Sequence, residues 1–164
     1  MLGAHNVFLV GPMGSGKSAV GRGLATRLAL DFVDSDAEIE LRTGVDIPYI
    51  FEREVLDVLT ARPGVLVATG GGAVLDPDTR ARLRSRGRVV YLRASVNQQL
   101  ARTRRSGHRP LLRNPDPRGT LERLMQQRTP LYEEVADLIV DTDGRRVVAV
   151  VDEIAARLSA AREA

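Results

Sequence analysis

At 164 residues, with 43% hydrophobic and 27% charged, the chain has the size and make-up of one globular domain. It contains no cysteine, which excludes disulfides and thiolate metal sites, and no apolar run near the ~18–20 residues that span a bilayer. The formal charge of +3 invites a nucleic-acid reading, but three Tyr, three Phe and no Trp leave few stacking platforms for bases. Neither a nucleic acid nor a membrane is therefore an expected partner.

The chain opens on Met1-Leu2-Gly3-Ala4-His5-Asn6, which does not read as a secretory leader, so a cytoplasmic location is expected. Strand and helix patterns then alternate, which predicts an α/β fold around a mainly parallel sheet of five strands. Val7 to Val10 is a continuous apolar run, as a strand covered on both faces requires. A glycine-rich turn leads into a helix marked by Val20, Leu24 and Leu28. Asp31 to Val33 reads as a short second strand, and helical patterns follow over 37–42 and 47–59. Val65 to Ala68 is the third strand and runs into Thr69-Gly70-Gly71-Gly72. Asp76-Pro77 reads as a helix cap and first helical position, with Gly87 closing that helix as its C′ residue. Val89 to Leu92 is the fourth strand, and Ser95 caps a helix over 96–105. Residues 106–118, dense in Arg and Pro, read as a mobile loop. A helix over 120–132, interrupted near Pro130, precedes a fifth strand at Leu138 to Val140. Val147, Val151, Ile154 and Leu158 form the apolar stripe of a last helix. No linker or repeat divides the chain, so 1–164 reads as a single domain.

Gly11-Pro12-Met13-Gly14-Ser15-Gly16-Lys17-Ser18 fits the phosphate-loop pattern G-x-x-x-x-G-K-[ST], placed between the first strand and the first helix. Such a loop turns its backbone N–H groups inward around phosphates, and the helix start adds partial positive charge. Lys17 is expected to reach the β- and γ-phosphates of ATP, and Ser18 to offer its hydroxyl to Mg²⁺. Lys17 is also the only lysine among 24 Lys and Arg residues. A coding bias toward arginine explains the other positions; a compact ammonium kept at this one is informative.

Other residues carry two readings each. Asp34 and Asp36 point to one side if the segment is extended, which would aim both at the ligand crevice of an open sheet. Equally, Asp36 would cap a helix starting at Ala37. The three glycines at 70–72 imply either a sharp turn or close backbone approach to a ligand. Arg128 continues the apolar face set by Leu121, Leu124 and Met125. An inward guanidinium needs a partner, whether a helix end, solvent reached by snorkelling, or a bound carboxylate. Arg109, in His108-Arg109-Pro110-Leu111-Leu112, belongs either to a lid that closes on polyphosphate or to a disordered basic loop.

Together, the phosphate loop, Asp34-Ser35-Asp36, Thr69-Gly70-Gly71-Gly72, His108 to Leu112 and Arg128-Thr129-Pro130-Leu131-Tyr132 resemble the shikimate kinase family in order and spacing. The resemblance runs from Val7 to Val151. It implies a three-layer α/β/α phosphate-loop kinase fold, with an acceptor-binding region at about 34–60 and a lid at about 106–118. It implies ATP-dependent phosphorylation of the 3-hydroxyl of shikimate, with Mg²⁺. By the same resemblance, Gly14, Ser15, Gly16, Lys17, Ser18 and Ala19 surround the phosphates, and Asp34 lies near the metal through water. Asp36 would hold the acceptor hydroxyl, Gly71 would donate its N–H to the acceptor, and Arg128 would grip its carboxylate. Arg109 would close over ATP, with Arg102 and Arg145 toward the adenine; Lys17, Asp36 and Arg109 form the implied catalytic set.

Between about Ile50 and Glu54 the chain is shorter than the family pattern by roughly three helical turns. That stretch should carry a second arginine for the acceptor carboxylate, and Arg53 is the candidate to stand in. Either residues of a longer chain are missing there, as the resumed register downstream suggests, or the acid site is altered. A kinase of gluconate or of a nucleoside monophosphate, and a nucleotide-binding module without catalysis, are the alternatives. The small size leans toward a monomer.

Overall fold

The computed structural model describes residues 5–38, 49–106 and 115–163. Five strands, β1 (Asn6–Val10), β2 (Asp31–Asp34), β3 (Val65–Ala68), β4 (Gly87–Arg93) and β5 (Leu138–Asp141), form one parallel sheet in the order β2-β3-β1-β4-β5. Helices fill the connections: α1 (Lys17–Leu28), α2 (Tyr49–Ala61), α3 (Pro77–Arg86), α4 (Val96–Ser106), α5 (Pro117–Val135) and α6 (Val147–Glu163).

Every residue of β1 is buried, and its side chains divide between two cores. Val7 and Leu9 pack with Val20 and Leu24 of α1 and Ile154 of α6. Phe8 and Val10 pack on the opposite face with Leu56 and Leu59 of α2, Leu83 of α3 and Tyr132 of α5. This is the three-layer arrangement, and it explains why the strand is apolar without alternation. Asn6 is the buried polar exception: its amide donates to the carbonyl of Arg62 at 2.7 Å and its oxygen accepts from Val65 N at 3.0 Å. It thereby fixes the turn that joins α2 to β3.

Three expectations need correction. Gly87 does not close α3 in a left-handed turn; it is extended and already the first residue of β4, opposite Asn6. Its small size is needed because a Cβ there would lie 2.5 Å from the Asn6 carbonyl oxygen. The helix over 120–132 is longer than its pattern, starting at Pro117 behind an Asp116 cap and running on to Val135 without interruption at Pro130. Tyr132 and Val135, beyond the proline, are both buried, and burying such side chains at about 1.5–3 kcal/mol each offsets the roughly 3 kcal/mol that an interior proline costs. In α6 the stripe is carried by Val150, Val151, Ile154 and Leu158, whereas Val147 is exposed. The expected loop over 106–118 is described only at its two ends, since 107–114 lie outside the described residues, as does most of the helical pattern over 37–42.

Candidate nucleotide and acceptor site

The turns that follow β1, β2 and β3 meet at the carboxyl edge of the sheet, where open α/β sheets bind ligands. A cavity of about 760 Å³ opens there. Its walls include Gly14, Gly16, Lys17, Ser18 and Ala19 from the phosphate loop, Asp34 at the end of β2 and Asp36 just beyond it, and Gly71 after β3. Leu121, Leu124, Met125 and Arg128 of α5 face them.

Gly14 and Gly16 hold φ of +77° and +90°, a conformation that side-chain-bearing residues rarely adopt. Gly16 is the N-cap of α1, so the loop leads straight into a helix start whose first N–H groups lack intrahelical partners. The Lys17 ammonium lies along this loop, donating to the Gly11 carbonyl at 2.6 Å and the Pro12 carbonyl at 2.9 Å. Arg102 of α4 crosses the loop from the other side and donates to the Gly14 carbonyl at 2.6 Å. Ser15 is fully buried behind the cavity wall, and its hydroxyl finds no hydrogen-bond partner among the described residues. Arg145 is engaged elsewhere: it donates to the Asp141 carbonyl at 3.0 Å and to Glu153 at 2.5 Å, and it is not among the residues lining the cavity.

Beyond the loop, the Ser18 hydroxyl donates to Asp34 Oδ2 at 2.5 Å. The other Asp34 oxygen accepts from the backbone N–H of Asp36 at 3.1 Å and of Ala37 at 3.2 Å. Asp34, not Asp36, therefore caps the helical turn that begins at residue 35. Asp36 turns its carboxylate toward Gly70, where a Cβ would lie 2.6 Å from Asp36 Oδ1. The same imagined Cβ would lie 3.0 Å from Glu52 Oε1, so two carboxylates converge over this glycine. Burial, and then the negative charge of Asp36, push the Glu52 carboxyl above its ordinary value, with Arg128 working in the opposite direction.

Arg128 reaches across the glycine turn from α5. A Cβ on Gly71 would lie 3.3 Å from its Nη1, and one on Gly72 would lie 3.6 Å from its Nη2. Its Nε is buried and has no hydrogen-bond partner among the described residues. One helical turn on, the Tyr132 hydroxyl donates to the Gly71 carbonyl at 2.6 Å, and its ring stacks on Tyr91 with centroids 4.9 Å apart. Burial pushes this hydroxyl up to about 12, against the opposing charge of Arg128. Arg53 does not line the cavity; it pairs with Asp76 and Asp78, joining α2 to the start of α3. Arg109 lies outside the described residues.

The family model for shikimate kinase matches residues 13–159 of this chain. The chain belongs to the shikimate kinase family. A shikimate kinase of Alteromonas mediterranea is 50% identical over 165 aligned positions that cover 94% of this chain and 96% of that one. The structure of a shikimate kinase from Acinetobacter baumannii in complex with shikimate superposes with a TM-score of 0.87 at 42% identity, covering 95% of this chain and 93% of that one. A gluconokinase from Sinorhizobium meliloti, 21% identical with a TM-score of 0.63 and covering 98% of this chain and 94% of that one, shares the fold.

As a member of the shikimate kinase family the chain is short. The 165 positions aligned with the Alteromonas protein draw on only 94% of its own 164 residues, so that relative carries residues with no counterpart here. Sequence reasoning for this shikimate kinase family member missed Glu52 and Tyr132. Tyr132 had a signal, since it follows Arg128 by four residues on one helix face. Glu52 had none, because only the packing of α2 against the turn after β3 brings it beside Asp36.

Proposed function

We propose that the chain transfers the γ-phosphate of ATP to the 3-hydroxyl of shikimate, a step that leads toward chorismate and the aromatic amino acids. The observation that carries the acceptor half is Arg128: a cation with a buried, unpartnered Nε, facing the same cavity as the phosphate loop. A half-buried guanidinium of this kind suits the bidentate grip of a carboxylate.

The amides of residues 11–16 and the start of α1 would hold the phosphates, and Lys17 would swing its ammonium from the Gly11 and Pro12 carbonyls onto their oxygens. Asp36 would orient the attacking hydroxyl in line with the γ-phosphorus and accept its proton as the bond forms, while ADP leaves. The Gly71 N–H and Arg128 would fix the rest of the acid, so that a small shift in α5 would misalign the hydroxyl. Arg102 lies where it can flank the nucleotide, and Arg109 completes the reading as the cation over the transferred group.

The donors beside the loop also suit Mg²⁺. Ser18 and Asp34 place a hydroxyl and a carboxylate together, both hard oxygen donors. When bound, Mg²⁺ supplies charge neutralisation on the β- and γ-phosphate oxygens.

The test is ADP release from Mg-ATP with shikimate as acceptor, in the wild type and in Arg128→Ala. Loss of a charged hydrogen-bonding partner is expected to raise the KM for shikimate by about 10–100-fold and to leave the KM for ATP unchanged. Equal effects on both substrates would show that Arg128 does not hold the acid.

A further inference from the structure

Gly14, at φ +77°, leaves the peptide that it shares with Ser15 free to turn over, because glycine reaches several conformations at similar cost. In this chain that peptide is held at both ends. Its carbonyl, that of Gly14, accepts from Arg102 Nη1 at 2.6 Å. Its N–H, that of Ser15, is turned onto the Pro12 carbonyl at 3.3 Å. The same Pro12 carbonyl accepts from Lys17 Nζ at 2.9 Å. A continuous run of contacts therefore joins the Arg102 guanidinium, through one peptide of the loop, to the ammonium that serves the phosphates.

Arg102 is itself anchored. Its side chain is half-buried, and Nη2 donates to the Thr142 carbonyl at 3.5 Å. Thr142, just after β5, is buried and gives both its N–H and its hydroxyl to the Arg93 carbonyl, at 3.0 Å and 3.1 Å. The main chain of α4 also comes hard against the loop. A Cβ on Gly14 would lie 3.1 Å from Gln99 Cα and 3.6 Å from Arg102 Cβ. The start of α4 and the connection after β5 thus form a bracket, and Arg102 carries its hold to the loop.

We propose that Arg102 is a positioning residue for the phosphates: by holding the Gly14 carbonyl it keeps the loop in the shape that receives them, whatever base the nucleotide carries. A loop already in shape loses less freedom when its ligand arrives, so the hold is read as affinity. This inference rests on the nucleotide reading above and extends the role of Arg102 from the flank of the nucleotide to the loop itself.

The experiment measures binding of Mg-ATP and of Mg-tripolyphosphate, which carries phosphates and no base, by calorimetry at low and at high salt. It uses the wild type, Arg102→Ala and Arg102→Lys. Arg102→Ala is expected to weaken binding of both ligands by about 10-fold or more, as for loss of a charged hydrogen-bond donor. The factor should be the same at both salt concentrations, since a bond made within the protein does not depend on attraction between free ions that salt screens. Arg102→Lys keeps a donor that can reach the Gly14 carbonyl and should recover most of the loss. The KM for shikimate should stay unchanged in both variants. A loss confined to Mg-ATP would assign Arg102 to the base, and a loss on both ligands that fades in high salt would make it a direct charge on the phosphates. Either result overturns the proposal, as would unchanged binding, or a KM for shikimate that rises in step. A wild type that binds Mg-ATP but not the base-free ligand would also overturn it, whereas one that binds neither would defeat the nucleotide reading itself.

Discussion

The Tyr132 hydroxyl donates to the carbonyl of Gly71 at 2.6 Å, and so ties the helix that carries Arg128 to the glycine turn that faces it. The bond spans two elements that are far apart in the chain. Tyr132 is fully buried against Tyr91, so the ring cannot leave without opening the core. Removing only the hydroxyl tests the tie. Tyr132→Phe leaves the Gly71 carbonyl without this donor, and a Tm lower by about 2–4 °C is expected for a loss near 1 kcal/mol in a chain of this size. The KM for shikimate should rise in the same variant, and calorimetry with steady-state kinetics reads both.

Lys17→Met removes the ammonium from the phosphate loop while keeping the length of its stem. Turnover is expected to fall by about 10²–10³-fold or more, because a charge aimed at the transferred group acts most strongly in the transition state. The Tm should change little, since Nζ lies on the loop's own carbonyls and outside both cores. Near-normal ADP release in this variant would defeat the proposed mechanism.

Gly70→Ala places a methyl 2.6 Å from Asp36 Oδ1. The carboxylate must shift, and a displacement near 1 Å at a reacting group costs on the order of 10²-fold in kcat. Binding of Mg-ADP, measured by calorimetry, should be unaffected, which separates this effect from general damage to the loop.

The raised Glu52 carboxyl makes a statement about pH. A carboxyl held above its unfolded value favours the folded state at low pH, and that contribution is lost as pH rises through the folded value. Above the folded value the folded protein therefore bears the unfavourable charge. Glu52→Gln should be more stable than the wild type in that alkaline range, and the difference should shrink to nothing below the ordinary carboxyl value. Thermal melts at a series of pH values check the sign; a variant less stable than the wild type at pH 8 would contradict it.

Much of this was legible in the chain before any coordinates. Strands buried on both faces announce themselves as unbroken apolar runs, and β1, β3 and β4 were found this way. The phosphate loop is a local motif whose spacing is set by backbone geometry, so it needs no tertiary context. What local pattern could not give is where tertiary packing overrides propensity. Pro130 should stop a helix, yet Tyr132 and Val135 bury enough surface beyond it to carry the helix through. Gly87 does end its helix, but in extended rather than left-handed backbone, because it is at once a close contact between strands. Arg53 and Glu52 are neighbours in sequence but meet different partners, one Asp76 and Asp78 and the other the space beside Asp36, a difference that only the packing of α2 decides.

All five strands point the same way, so the groups on the strand side of the cavity hang from connections at a single edge of the sheet. In the proposed function the nucleotide would be held from the connection after β1 and from Asp34, and the acceptor from Asp36, the glycine turn after β3 and one row of α5. Rewriting the acceptor groups alone would then retarget the kinase to another small alcohol without disturbing the grip on the phosphate donor. A lineage built on this chassis can drift in what it phosphorylates while what it phosphorylates with stays fixed.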